Sequence, residues 1–344
     1  MEDLLRIEKG FPLGKDGRVH TTYTHNPSSL RFSSVGPNLQ NLPRGSDSEL
    51  QRWVKEIFVA PPGSLFWARD FSAIEAVLVG YFAGSADYVR FAKLGVHAYL
   101  ASHIAGRPAD LQWSDDDLRS YFKELKGAEK TIYDTAKRVV HGSNYMMTPR
   151  KMWYEYPETF RSISAASKLQ GLYFELFPAI KVWHRTLCER IDGAKRRTRE
   201  ETGERVDPWT LGVCYAQNPF GYIHRFYNVL DWEKVGNDWV SSFGEDAKRL
   251  VSFLPQSTAA AIIKRATKRI WTEFPDVGES LRLLIHDEIF GESREEQVEE
   301  CLRVSQVCME SPIPELPLDP TWGMGEFLTI GTEAKVGRSW GGMS

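Results

Sequence analysis

Cysteine is scarce: there are 4 in 344 residues, Cys188, Cys214, Cys301 and Cys308, and no two are spaced as a CxxC redox pair or a zinc knuckle. The expectation is reduced cytoplasmic thiols, not a disulfide scaffold or a cysteine metal centre. No apolar run is long enough to span a bilayer, and Met1-Glu2-Asp3-Leu4-Leu5-Arg6 has neither the basic start nor the apolar core of a signal peptide. Internal repeats and low-complexity linkers are absent, which excludes a solenoid and favours one interdigitated body over beads on a string. Nor is there an excess of positive charge: 43 Lys and Arg stand against 46 Asp and Glu, a formal net charge of -3. That balance excludes a uniformly basic protein, but not a basic surface confined to where a polyanion lies.

What is present is enough apolar material, 42% of residues, for about two compact units. Carboxylates stand inside or at the end of two apolar, strand-like stretches. The first is Phe66-Trp67-Ala68-Arg69-Asp70-Phe71-Ser72-Ala73-Ile74-Glu75, and the second is Leu283-Leu284-Ile285-His286-Asp287-Glu288-Ile289-Phe290. A carboxylate at a strand end is costly to bury unless a partner or a metal compensates it, so two sites built alike suggest one shared metal cluster. A lone His-Asp-Glu triplet at a strand end is more often a turn with a solvated carboxylate, and it is the company of further segments that raises the catalytic reading.

Cations gather in the middle of the chain, at Lys126, Lys130, Lys137, Arg138, Arg150 and Lys151. Lys195, Arg196, Arg197 and Arg199 form a second basic stretch, which fits a solvated face as well. Strands and turns lead up to Asp70, with a helix from near Ser72. From about 84 to 225 the periodicity is mostly helical, broken at Gly106-Arg107-Pro108 and Thr148-Pro149. Ser114 before Asp115-Asp116-Asp117 reads as a helix N-cap with acids in the first turn. Residues 246–272 form a long helix, and Leu281 to Glu292 a hairpin with Asp287 near its turn. Lys137, His141 and Tyr145 recur every four residues and so share one helix face.

Two more segments complete a pattern: Arg31-Phe32-Ser33-Ser34-Val35-Gly36-Pro37-Asn38-Leu39-Gln40-Asn41 near the start, and Leu254-Pro255-Gln256-Ser257-Thr258-Ala259-Ala260 before the hairpin. Together with the carboxylate segments and Ala136-Lys137-Arg138-Val139-Val140-His141-Gly142-Ser143-Asn144-Tyr145, they resemble in order and spacing the signature set of family A DNA polymerases. The likeness runs from about Gly17 to near the C-terminus. It implies an α+β right-hand polymerase: a palm with an antiparallel sheet from residues 1–83 and 226–344, and inserted helical fingers from 84–225. Template-directed transfer of dNMP from dNTP to a primer 3'-OH is the implied reaction, with two Mg2+ ions held by Asp70 and Asp287. Such ions lie about 3.5–4 Å apart and neutralise charge around the transferring phosphorus.

The resemblance carries further roles residue by residue. Glu75, five residues after Asp70, matches the steric gate under the incoming sugar. Lys137 would neutralise phosphate charge, with His97 near the triphosphate. His141 stands where the family has Phe or Tyr, Gly142 would let the template base approach, and Tyr145 would stack where that base enters. Arg31, Asn38, Gln40, Gln256 and His286 match minor-groove contacts to primer and template, where donors test base-pair geometry without reading sequence. Glu288, expected on the opposite side of the strand from Asp287, would support at most.

Departures bear on nucleotide binding. The family's arginine one turn before the motif lysine is Tyr133 here, with Lys130 about 10 Å from Lys137 along a helix as the expected substitute. Val77 replaces another arginine and Ala73 a glutamine. The helical thumb and 3'-5' exonuclease that precede these motifs in the family find no match. The expectation is therefore the catalytic subunit of a split, phage-type replicase in a host bacterial cytoplasm, with thumb and exonuclease on a separate polypeptide, and a processivity factor as a further partner. A single-subunit RNA polymerase and a catalytically silent primer-template binding subunit are the alternatives.

Overall fold

The computed structural model describes residues 11–24, 29–42, 49–202 and 214–344, with backbone alone at 49–52 and 194–202. In chain order come strands β1 (Thr22–Thr24) and β2 (Ser33–Val35), helix α1 (Glu49–Glu56) and strand β3 (Ser64–Phe71). Helices follow: α2 (Ile74–Phe82), α3 (Ala86–Leu94), α4 (Val96–Ile104), α5 (Asp115–Ala128), α6 (Lys130–Asn144), α7 (Pro149–Glu155), α8 (Ile163–Leu176) and α9 (Pro178–Thr202). Two hairpins come next, β4 (Cys214–Gln217) with β5 (Ile223–Phe226), and β6 (Leu230–Val235) with β7 (Asp238–Phe243). The chain continues through the long α10 (Ala247–Glu273), β8 (Leu281–Ile285), β9 (Glu288–Arg294) and α11 (Val298–Met309). It closes with β10 (Ile313–Pro317), β11 (Phe327–Leu328) and β12 (Thr332–Gly337).

Two compact units emerge, residues 1–72 with 256–344, and residues 73–255. The sequence places junctions at 83/84 and 225/226, whereas the units divide at 72/73 and 255/256. Packing accounts for both differences. Val77, Leu78 and Val79 of α2 are fully buried, so the helix after Asp70 belongs to the helical unit. The aromatic rings of Phe226 and His224 lie 5.7 and 5.4 Å from that of Phe253, which keeps the segment before α10 in that unit too.

In the first unit an antiparallel sheet of order β12-β3-β9-β8 is built around β3. With neighbours on both edges, β3 buries successive residues from Phe66 to Arg69, which is why SLFWARDF reads as a nearly continuous apolar run. On one face Phe66, Ala68 and Phe290 join Leu39, Leu42, Val54, Ala60 and Trp340 in the core. On the other, the buried Arg69 donates from Nε to Ser305 Oγ (3.0 Å) and from Nη2 to the Leu302 carbonyl (2.9 Å), tying β3 to α11. Trp67 lies directly opposite Gly291, where a Cβ would stand 2.2 Å from the indole. Only glycine fits beneath that ring.

The second unit is mostly helical. Its breaks fall where the sequence places them: Ser114 Oγ accepts the Asp117 N–H (3.2 Å) to open α5, and Thr148 Oγ1 accepts the Lys151 N–H (3.3 Å) to open α7 at Pro149. The hairpin β4–β5 interrupts the end of the stretch that periodicity reads as mostly helical, and the hairpin β6–β7 follows it. The side chains of Lys195, Arg196, Arg197 and Arg199 lie outside the described residues, as do Met1 to Arg6. Among the described residues no helix is long and apolar enough to cross a membrane.

Candidate active site

The carboxylates belong to the first unit. Asp70 is the penultimate residue of β3 and pairs with Glu288 on one side and Glu333 on the other. Asp287 occupies the two-residue turn between β8 and β9, and the Phe71 N–H donates to its backbone carbonyl (3.2 Å). That bond fastens the turn to the end of β3, so residues 217 positions apart in sequence meet at one strand end. The Asp287 carboxylate is about one-fifth exposed and receives Arg31 Nη2 at 3.4 Å.

Glu288 is placed by its register with β3. Paired directly with Asp70, it projects from the same face of the sheet, with Cβ atoms about 4.5–5.5 Å apart for such pairs. Strand alternation does not pass through the turn, because His286 adopts a left-handed conformation (φ 56) and breaks the extended backbone. Asp70 and Glu288 thus share a face, and Asp287 stands on the turn beside them.

Among the described residues no group of three or more His, Cys, Asp or Glu is arranged to hold a metal ion. A pair of aspartates is nonetheless a hard-oxygen donor set that suits Mg2+, which takes few carboxylates and completes its octahedron with water and phosphate oxygens.

The expected duplex-contacting residues of this unit have defined places. Arg31, Gln40 and His286 line one small cleft with Phe32, Lys264 and Leu284. Gln40 braces that cleft: its amide donates to the Leu284 carbonyl (2.9 Å) and its Oε1 accepts the Ser34 N–H (3.0 Å). Asn38 organises the adjoining turn through Oδ1, which accepts the N–H groups of Gln40 (3.1 Å) and Asn41 (3.2 Å). Gln256 is half-buried on α10, apart from the residues that line the cleft. Lys264, which motif reading did not single out, donates to the Leu30 carbonyl (2.5 Å) and lies 4.3 Å from the centre of the Phe32 ring, so it holds the Arg31 segment in place.

The cations belong to the second unit. On α6 the inner face is Ala136, Val139, Val140 and Ser143, while Lys137 and His141 stand exposed on the outer face. Tyr145 caps the helix one residue beyond its end, and its hydroxyl donates to the carboxylate of Glu75 on α2. The His141 ring lies edge-on to Tyr145 at 5.2 Å. His97, on α4, is kept neutral by burial and next by the positive field of Lys137, His141 and Lys126, which push its pKa down to about 4. Lys130 is the exposed first residue of α6.

The end of α6 is fixed by groups that motif reading missed. Asn144 Oδ1 accepts the hydroxyls of Tyr88 (2.9 Å) and Tyr173 (2.5 Å), and its backbone carbonyl accepts His184 Nε2–H (3.0 Å). Met147 N–H reaches the Gly142 carbonyl (2.8 Å) and Met146 N–H the Ser143 carbonyl (3.3 Å), a Schellman end in which Met146 takes the left-handed position (φ 56) usual for glycine. The only sequence trace of this network is the burial of polar residues, which periodicity does not reveal.

A family model described as DNA polymerase family A matches residues 10–208. Among curated proteins, the thermostable DNA polymerase I of Thermus thermophilus is 25% identical over 317 residues, covering 91% of this chain and 32% of its own length. The DNA polymerase I of Chloroflexus aurantiacus is 26% identical over 339 residues, covering 96% of this chain and 30% of its own. The chain therefore spans about a third of the length of these relatives. A solved structure of the POL domain of Pol1 from M. smegmatis, in complex with DNA primer-template and dNTP, superimposes with a TM-score of 0.64 at 21% identity. That likeness covers 96% of this chain and 49% of that one, and it establishes a shared fold.

Proposed function

The chain belongs to DNA polymerase family A, and from that premise we propose that it catalyses template-directed transfer of dNMP from dNTP to a primer 3'-OH. The first unit is read as the palm and the second as the fingers. Asp70 and Asp287 would hold two Mg2+ ions, which supply charge neutralisation at the attacking and leaving oxygens. Lys137, with His97 beside it, would bind triphosphate oxygens as a charge-assisted donor. Glu75, held by the Tyr145 hydroxyl, would stand beneath the sugar and exclude a 2'-hydroxyl. Gly142 and Tyr145 would receive the template base, and Arg31, Asn38, Gln40, Gln256 and His286 would meet the minor groove of primer and template. Of these, Gln40 acts through the cleft it braces as much as by direct contact.

The observation that supports this reading is the strand-end clasp, Phe71 N–H on the Asp287 carbonyl at 3.2 Å, which joins the backbones of two carboxylate-bearing segments distant in sequence. Primer extension by the purified chain with Mg2+ and dNTPs tests it, alongside Asp287→Asn. The expected outcome is extension by the wild type, reduced roughly a thousandfold in the variant while primer-template binding persists. Binding without Mg2+-dependent extension would select the silent binding subunit, and extension with rNTPs in preference to dNTPs would select an RNA polymerase. Parallel reactions with extract from the native source separate a self-sufficient chain from one that works with a further polypeptide.

A further inference from the structure

Tyr133 raises a question that the proposed function leaves open: which cation accompanies Lys137 at the far end of a triphosphate. Lys126 lies in the last turn of α5, where any basic residue complements the helix C-terminus. That placement does not explain its direction. Its Nζ stands 5.4 Å from the centre of the Tyr133 ring, and the other neighbour of that ring is His97, edge-on at 6.1 Å. Tyr133 precedes Lys137 by one turn on the same helix face, so the ring that carries Lys126 lies on the face that presents Lys137.

The electrostatics agree with the geometry. Lys126 and Lys137 both act on His97, whose pKa they help to depress. Among the described residues neither lysine forms an ion pair, and the neighbouring Glu129 is already engaged by Arg107 at 3.0 Å. Asp134, exposed beside Tyr133 in sequence, is among the described residues the one carboxylate whose field reaches that ring, where after burial it helps to raise the Tyr133 pKa. One ammonium group and a neutral imidazole flank the Tyr133 ring, and a second ammonium, Lys137, acts on the same imidazole, so the three groups together suit an extended polyanion.

We propose that Lys126, presented across the Tyr133 ring, binds the outermost phosphate of the incoming nucleotide in the place that sequence assigns to Lys130. This rests on reading the outer face of α6 as the nucleotide side. Lys126 is thus a binding residue, contributed by a helix outside the motif.

The test is steady-state primer extension over a range of dNTP concentrations for wild type, Lys126→Ala, Lys126→Arg and Lys123→Ala. Thermal melting of each variant and calorimetric titration with inorganic tripolyphosphate accompany it. Lys126→Ala is expected to raise the dNTP KM roughly tenfold, the loss of one charge-assisted hydrogen bond, with kcat within about twofold. Lys126→Arg restores most of the affinity, and Lys123→Ala, on the same helix, stays near wild type. An unchanged KM in Lys126→Ala overturns the proposal, as does an equal rise in Lys123→Ala, which would indicate a diffuse field. A lowered Tm with normal KM would reduce Lys126 to packing on Tyr133 and overturn it too. Should the chain extend no primer, the polymerase reading fails, yet the titration still decides. Tripolyphosphate affinity lost only on removal of the Lys126 ammonium supports the phosphate site, and absence of binding by wild type overturns it.

Discussion

The carboxylate end of the sheet and the cationic face of α6 hold their polar groups by different means. Asp70 stands on the central strand β3 with ladder partners on both sides, and the Asp287 turn is fastened by a backbone hydrogen bond, so both positions are set by main chain. On α6 the helix itself is positioned by side chains: two tyrosine hydroxyls and an imidazole converge on Asn144, and one phenol reaches Glu75. Groups that share a small ion need fixed separations and are placed on rigid backbone. Long cationic side chains that reach a flexible polyphosphate need only a helix that is held. The two regions share one trait: all four non-glycine residues with positive φ among the described residues lie within three positions of a candidate site residue, and His286 is one itself. Leu30 precedes Arg31, Ala73 lies between Asp70 and Glu75, Met146 follows Tyr145, and His286 precedes Asp287.

The comparison is sharpest in activity. With the Asp287→Asn loss at roughly a thousandfold, Lys137→Ala should cost less, about ten- to a hundredfold in kcat/KM, because it removes one charge-assisted contact. Neither change should lower the melting temperature much, since Lys137 is exposed and the Asp287 position is fixed by its backbone. A Lys137→Ala defect equal to that of Asp287→Asn would break the distinction between placed carboxylates and reaching cations.

Stability should separate the regions next. At Gly291 a new Cβ meets the rigid indole of Trp67, itself fully buried, so Gly291→Ala should destabilise the first unit by about 2–3 kcal/mol through overpacking. Gly142 sits on α6, where a Cβ would stand 2.8 Å from the end of the flexible Met152 side chain. Its replacement by alanine offsets that crowding with a gain in helix propensity of about 1 kcal/mol, so the net change should be small. Urea denaturation of both variants checks this, and equal losses would show that α6 is as tightly determined as the sheet.

Acid should weaken the units in different windows. His97 and His184, both in the helical unit, have pKa values pushed down to about 4, chiefly by burial. The unfolded chain takes up protons at these positions near the ordinary histidine value of 6.5 while the folded unit refuses them, so stability falls as pH drops from about 6.5 towards 4. In the first unit the Arg18 guanidinium holds the Glu292 carboxyl below its usual 4.5, so that contribution is intact above 4.5 and is lost only as pH falls through the lower folded value. Hydrogen exchange between pH 7 and 4.5 should therefore show peptides from α4, α6 and α9 opening before those from β3 and β9. His184→Gln should flatten the dependence, and simultaneous opening of both units would contradict it.

Much of the carboxylate end is legible in sequence because strands with one inserted charge leave a local trace. The hairpin around Asp287 and the strand into Asp70 follow from short apolar runs of strand length that end at a carboxylate. The orientation of Glu288 is not legible, since it depends on the left-handed His286, a conformation that residue type does not announce. The outer face of α6 follows from spacing, but its supports do not. Tyr88, Tyr173 and His184 lie 56, 29 and 40 residues from Asn144 and meet it only through packing. The hairpins between Cys214 and Phe243 escape notice because β6 is exposed along most of its length and carries charges where alternation would require apolar residues.

The smallest expected effect probes the trait that the two regions share. Met146 closes α6 at the left-handed position of a Schellman end, where a side chain costs about 1–2 kcal/mol relative to the right-handed region. Glycine would relieve that cost but lose more conformational entropy on folding, so Met146→Gly should stabilise the helical unit by at most about 1 kcal/mol. At the same time it would loosen the link between α6 and the segment leading to Thr148, and with it the position of Tyr145 against Glu75. The expected signature is a slightly raised melting temperature with weaker discrimination between dNTP and rNTP. The corresponding change at His286 should leave that discrimination untouched, because the strand-end clasp is made by backbone. Equal loss of discrimination in both variants would mean that the strained residues serve one common purpose, and the contrast between main-chain and side-chain positioning would fail.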